Sequence, residues 1–140
     1  MMTAIQTPAI GTAKAKPRTA RQHRGQRNYH AGVVAEDIVA QHYLRQGCPT
    51  VARRWRGTAG EIDLIVRDAA TLVFVEVKKS STFDRAATHI TRRQADRICT
   101  AATAFVASEP TGQLTPMRFD VALVDGIGAV RIIPNAFGGW

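Results

Sequence analysis

GEIDLIVRDAATLVFVEVK, residues 60–78, is the stretch whose reading decides this chain. Two apolar runs, 61–66 and 72–78, flank a polar break at Arg67, Asp68, Ala69 and Ala70. Each run alternates with a two-residue period, which predicts a β-strand, and the short break predicts a hairpin. Both strands carry acids where a buried strand should have none. Asp63 is flanked by Ile62, Leu64, Ile65 and Val66; Glu76 lies between Val75 and Val77, with Lys78 two places on. Ionised side chains in such surroundings are costly unless they are paired or hold a metal.

Alternation puts Glu61, Asp63 and Ile65 on one face of the first strand and Ile62, Leu64 and Val66 on the other. In the second strand Leu72, Phe74, Glu76 and Lys78 share a face opposite Val73, Val75 and Val77. Closing the hairpin with Val66 opposite Thr71 sets Asp63 against Phe74 and Glu61 against Glu76. Asp63 and Glu76 are then diagonal neighbours, about 7–8 Å apart at Cα. A slip of one residue would send them to opposite faces.

Carboxylates grouped in this way repel, so one takes up a proton or a cation neutralises them. A hard divalent ion held by one or two carboxylates and waters fits Mg²⁺. Lys78, on the same face, can orient a water or stabilise charge on a phosphate under attack. These are parts for phosphodiester hydrolysis. Spacing alone equally allows Asp63 and Glu76 to be structural partners of Lys78 and Arg56. Glu61 reads as a solvent-facing residue at the strand start.

Outward from the hairpin, residues 33–46 predict a helix with Ala35, Ile38, Val39, His42 and Tyr43 on one face and Gly47 as its stop. Glu36 sits at the margin of that face. His42 reads as a core histidine rather than a ligand. TVARRWR, residues 50–56, predicts a strand leading into the hairpin. Thr91 opens a second helix, and Gln94 three places later allows a reciprocal capping box. Its apolar stripe is Ala95, Ile98, Cys99, Ala102 and Val106. Strands at 118–124 and 129–133 complete an order α-β-β-β-α-β-β, an α/β chain with a central sheet flanked by helices.

The 140 residues carry a net charge of +8, unevenly placed. Lys14, Lys16, Arg18, Arg21, Arg24 and Arg27 make residues 1–30 basic, and no acid occurs before Glu36. This stretch reads as a disordered arm ahead of a domain over 31–140. It is either a phosphate-seeking tail or a solvated extension. Its prolines, glycines and lack of amphipathic period argue against a transit peptide. No apolar run is long enough to span a membrane. Cys48 and Cys99 form no CxxC pair and read as small buried residues, consistent with a reducing cytoplasm. Arg53, Arg54 and Arg56 before the hairpin, and Lys79, Arg85, Arg92, Arg93 and Arg97 after it, are candidate phosphate contacts or simply solvated surface. Trp55, pointing away from Arg54 and Arg56, reads as a packing residue.

GEIDLI followed by VFVEVK resembles the YraN family, small proteins of the PD-(D/E)XK nuclease superfamily similar to archaeal Holliday-junction resolvases. The resemblance spans residues 30 to 137. It takes in Glu36, the Tyr43-Leu44 pair, Arg54, Arg56, Arg93-Gln94, the Arg118-Phe119-Asp120-Val121 strand and Asn135-Ala136-Phe137. It implies a restriction-endonuclease-like core with a mixed sheet. It also implies Asp63, Glu76, the Val77 carbonyl and Glu36 as the set holding Mg²⁺ or Mn²⁺, Lys78 as the catalytic lysine, and Gln94 approaching from the second helix. On such a fold the basic clusters would border the acid patch, and Arg54, Arg56, Lys79, Arg92 and Arg93 are the candidate nucleic-acid contacts. Ala35-Glu36, Lys79-Ser80 and Arg93-Gln94 stand where the family tends to have Gly-Glu, Thr-Arg and Lys-Gln, which touches substrate contacts more than metal binding. The expectation is a metal-dependent DNA endonuclease, monomer or homodimer, acting on branched or single-stranded DNA. The alternative is a non-catalytic nucleic-acid-binding or assembly protein that retains the fold; RNA as the ligand is a third possibility.

Overall fold

The computed structural model describes residues 19–137. The chain divides after Ala31, and the sheet with its helices belongs to the unit Gly32–Trp140. Helix α1 runs Ala20–Arg45. It is followed by β1 Thr50–Gly57, β2 Gly60–Asp68, β3 Thr71–Lys79, a one-turn helix α2 Phe83–Ala87, and α3 Arg92–Val106. A 3₁₀ turn at Gly112–Leu114 precedes β4 Met117–Val124 and β5 Val130–Ile133.

The five strands form one sheet in chain order. All neighbours are antiparallel except β3 and β4, which are parallel and joined through α2 and α3. The expected mixed sheet flanked by helices is therefore present. β3 and β4 are central and covered on both sides, and Leu72–Glu76 and Asp120–Val124 are buried without interruption. That burial on both faces is why their sequences read as nearly continuous apolar runs. From Gly32 onward, α1 lays Ala35, Val39 and Tyr43 against Leu64, Val66, Val73, Val75, Ala122 and Val124. On the other face α3 sets Ala101, Ala102 and Val106 against Ile62, Ile65, Leu72 and Phe74. Phe74, fully buried, stacks on Phe119 at 5.6 Å and meets Phe105 edge-on at 6.0 Å.

Several details differ from the sequence reading. The helix expected over 33–46 begins earlier, at Ala20. Residues 20–32 carry no apolar period, so no pattern marked that start. The proposed basic arm lies outside the described residues up to position 18. The short helix α2 has no periodic face to announce it, and its one signal is Thr82, whose hydroxyl accepts from Arg85 N–H at 3.2 Å. The hairpin is tighter than expected. Asp68 pairs with Thr71, and only Ala69 and Ala70 form the turn. Ala69 adopts φ 54°, a conformation usually signalled by Asn or Gly, so no residue type here marks a two-residue turn. Cys48 is a buried free thiol in the core under α1, and Cys99 is a half-buried free thiol on α3 itself. No helix among the described residues is long and apolar enough to cross a membrane.

Candidate active site

The two-residue shift in register between β2 and β3 is a full period, so from the turn to Leu64 the paired side chains keep their expected faces but change who meets whom. Continued one step past its last pair, this register brings Asp63 level with Glu76 rather than diagonal to it. β2 and β3 stay paired from the turn only as far as Leu64 and Val75. Beyond that level β2 continues against β1, and β3 against β4, so the two strands part. Asp63 and Glu76 are the first residues past the fork. The Val77 N–H donates to Asp63 Oδ2 at 2.9 Å, a side chain standing in for a main-chain acceptor.

The expected alternation of β2 also breaks at this point. Ile62 packs in the same cluster as Ile65, not with Leu64 and Val66. β1 breaks at the same level, where Ala52 and Trp55 join that cluster together. Arg54 between them has φ 49°, which reverses the normal alternation of the strand. Trp55 packs as expected, edge-on to Phe105 at 5.4 Å.

Glu76 is 9% exposed, and Lys78 Nζ lies 3.1 Å from its Oε2. Burial raises the pKa of Asp63 to about 7, helped by the charge of Glu76 and a hydrogen bond between the two carboxyls; the Val77 N–H and Lys78 oppose the shift. The pair therefore holds a proton near neutral pH, as two carboxylates at one site must unless a cation replaces it. Glu36 is buried on α1, and Arg54 Nε reaches its Oε1 at 2.8 Å, with Arg53 Nη2 at 3.8 Å. Burial raises the Glu36 pKa, its bond to Arg54 lowers it, and the charge of Asp63 raises it.

Gln94 enters from the start of α3. Thr91 caps that helix, its hydroxyl accepting from Gln94 N–H at 3.1 Å, and the Gln94 amide oxygen returns to Thr91 N–H at 3.3 Å in the expected box. Turned over, the same amide donates to the His89 carbonyl at 2.8 Å and accepts from Lys78 Nζ at 2.8 Å. Oxygen and nitrogen are assigned from such networks, and two short bonds outweigh one long one. Lys78 is thus held between Glu76 and Gln94.

The structure brings Asp63, Glu76, Lys78, Gln94, Glu36 and Arg54 around the fork. Other candidates have other partners. Glu61 takes Arg56 Nε at 2.9 Å as a surface pair and does not join the acids. Arg53 bonds Asp37, and Arg92 Nε lies 3.7 Å from Asp96 one turn on. Lys79, Arg85, Arg93 and Arg97 have exposed side chains, and Arg97 lies over Gly60, whose φ of +149° and lack of Cβ admit it. Among the described residues His42 meets Gln46, at 3.3 Å, and the edge of Tyr43. Among the described residues no three of His, Cys, Asp or Glu form a ready-made metal cage.

The sequence reading assigned no role to Asp120, which is fully buried on β4. It accepts from Tyr43 Oη at 2.8 Å, from Arg118 Nε at 3.1 Å and from Asn135 N–H at 3.0 Å. An acid inside an apolar strand, two places after an arginine, was its available signal.

The sequence matches the model of the Uncharacterised protein family UPF0102 over residues 35–124, a span that holds Glu36, Asp63, Glu76, Lys78 and Gln94. A UPF0102 protein of Cereibacter sphaeroides is 58% identical over 113 residues, 81% of this chain and 97% of that protein. One from Ruegeria pomeroyi is 57% identical over 115 residues, 82% of this chain and 94% of its own. One from Dinoroseobacter shibae is 42% identical over 130 residues, covering 92% and 97%. The chain belongs to the UPF0102 family.

Proposed function

We propose that this chain is a divalent-metal-dependent nuclease that hydrolyses phosphodiester bonds in DNA. The observation that carries the reading is the carboxylate pair at the strand fork, half-buried Asp63 beside buried Glu76, flanked by Lys78. A carboxylate pair that is costly to the fold, and that a cation would relieve, is a mark of a working site.

The donor set fits a hard ion. Two carboxylates suit Mg²⁺ or Mn²⁺, which keep several waters and need few protein ligands. Asp63 and Glu76 would hold it, with the Val77 carbonyl as a further oxygen and Glu36 in reserve behind Arg54. Bound there, such an ion supplies Lewis acidity to a phosphoryl oxygen and acidifies water. The chain's own residues do the rest. Lys78, fixed by Glu76 and Gln94, presents N–H donors to a water or a non-bridging phosphate oxygen at the edge of the site. The exposed side chains of Lys79, Arg92 and Arg93, with Arg56, offer sequence-independent phosphate contacts. The mixed sheet with flanking helices accords with the restriction-endonuclease-like core that the PD-(D/E)XK resemblance implies. The likeness to Holliday-junction resolvases makes branched DNA the first substrate to try.

The test is cleavage of junction, flap, single-stranded and linear DNA in Mg²⁺ or Mn²⁺ by the wild-type chain, Asp63→Asn and Glu76→Ala. Each substitution should lower the rate by roughly a thousandfold or more while leaving the far-UV circular dichroism unchanged. Equal cleavage by all three proteins would refute the reading. Salt-sensitive DNA binding without cleavage in any metal would replace it with a binding protein that keeps the fold.

A further inference from the structure

The left-handed backbone at Arg54 needs a reason. Three non-glycine residues among those described have positive φ, and Ala69 and Asn135 both lie in turns. Arg54, at φ 49°, lies inside a strand. Such a conformation is unfavourable for a side chain of this type and persists where the surroundings impose it. Its effect is visible. In a regular strand consecutive residues point to opposite faces, yet Arg53 and Arg54 both reach Glu36 Oε1, at 3.8 and 2.8 Å. The β1–β2 register puts Arg54 across from Asp63, the residue at the fork. Gly32 on α1 lies beside the guanidinium, where even a Cβ would meet Arg54 Nη2 only at an ordinary contact distance of 3.7 Å. The strained residue therefore directs its guanidinium to the buried Glu36 from a position level with Asp63, while its side chain remains 31% exposed.

We infer that Arg54 withholds Glu36 from the cation site: its guanidinium occupies the Glu36 carboxylate that would otherwise join Asp63 and Glu76 around a divalent ion. This rests on the reading of Asp63 and Glu76 as cation ligands. It explains why Glu36, although Arg54 brings it level with Asp63, forms no cage with Asp63 and Glu76 among the described residues. Arg54 competes with a cation for one carboxylate, so its removal tightens cation binding through Glu36.

Mn²⁺ binding measured by titration calorimetry, with no nucleic acid present, tests this as a double-mutant cycle. The proteins are the wild-type full chain, Arg54→Asn, Glu36→Gln and the double variant. Asparagine tolerates the left-handed conformation, so the backbone is not the variable; Arg54→Gly serves if the asparagine variant folds poorly. The expected result is tighter Mn²⁺ binding in Arg54→Asn. The factor of tightening should be at least fivefold larger with Glu36 present than in the Glu36→Gln background. Equal factors in the two backgrounds would mean that Arg54 acts only as a nearby charge, and the proposal falls. Weaker or unchanged binding in Arg54→Asn also overturns it, leaving the cation site intact. If Asp63→Asn leaves wild-type Mn²⁺ binding unchanged, or no protein binds Mn²⁺, the nuclease reading itself has failed and takes this inference with it.

Discussion

Asp63 and Asp120 are acids in apolar strands on either side of β3, and their surroundings could hardly differ more. Asp120 is met by a phenol, a guanidinium and a main-chain N–H. Burial and the charge of Asp120 hold the Tyr43 phenol well above its ordinary pKa, so it stays a donor at any working pH. Arg118 ties the same group to Asp68 at 3.1 Å. Asp63 faces another carboxylate and keeps its proton to about pH 7. One acid is surrounded by donors and belongs to the architecture. The other is left short of counter-charge where two strands part, and is available for chemistry. Burial of an acid does not distinguish structure from function; the balance of its partners does.

The largest expected effect comes from the satisfied side. Asp120→Ala leaves Arg118, the Tyr43 hydroxyl and the Asn135 N–H without their common acceptor. It should cost about 3–5 kcal/mol of folding stability, read from urea unfolding. A loss under about 1 kcal/mol would show that water replaces the carboxylate and would erase the contrast.

Asp63→Asn should move the other way. Asparagine keeps an acceptor for Val77 N–H and adds a donor for Glu76, while ending the repulsion. A carboxyl whose folded pKa is raised stabilises the fold fully below its unfolded pKa and loses that contribution as pH rises through the folded value. The window here runs from the ordinary 3.8 to about 7. The variant should therefore match wild type near pH 4 and exceed it by up to about 4 kcal/mol at pH 8. A difference independent of pH would exclude the shared proton.

A cation should achieve in the wild type what that substitution achieves chemically. Millimolar Mn²⁺ at tenfold its Kd should stabilise the protein by about 1.4 kcal/mol at pH 8, a rise of a few degrees in Tm. Protons compete for the same carboxylates, so the rise should shrink at pH 5.5. Asp63→Asn should lose it and Asp120→Asn should keep it.

How much of this was legible without coordinates follows from the same physics. The strands, both main helices and the acid face were readable because period-2 and period-3.6 patterns survive in sequence, and Thr91 with Gln94 marks a helix start. The meeting of Asp63 with Glu76 survived a wrong register because the error was two residues, a full period, although the break in β2 alternation beside Asp63 was not legible. The fork was not legible, since it depends on where main-chain pairing stops. Nor was the reversal at Arg54: an arginine carries no sign of positive φ, and alternation assigned Arg54 and Arg56 to one face. The partners of Glu36 and Asp120 lie across the fold and leave no local pattern.

The smallest effect concerns the acid that was doubtful from the start. Glu61 and Arg56 pair across β1 and β2 at 2.9 Å, but the Arg56 side chain is 81% exposed. Water screens such a pair, and ordering two long side chains offsets most of the attraction. Arg56→Ala should change stability by no more than about 0.5 kcal/mol, with no dependence on pH between 5 and 8. Its consequence should appear in binding instead. A cation near the fork that contacts phosphate adds affinity of one sequence-independent increment, so DNA binding should weaken by a few-fold and its salt dependence should become shallower by about one ion. Unchanged salt dependence would make Arg56 a partner of Glu61 alone, and would confine the phosphate contacts to Lys79, Arg92 and Arg93. A stability loss of 2 kcal/mol or more would mean that the Arg56–Glu61 pair behaves like the Asp120 cluster despite its exposure, and partner balance would then fail as the criterion separating the two kinds of acid.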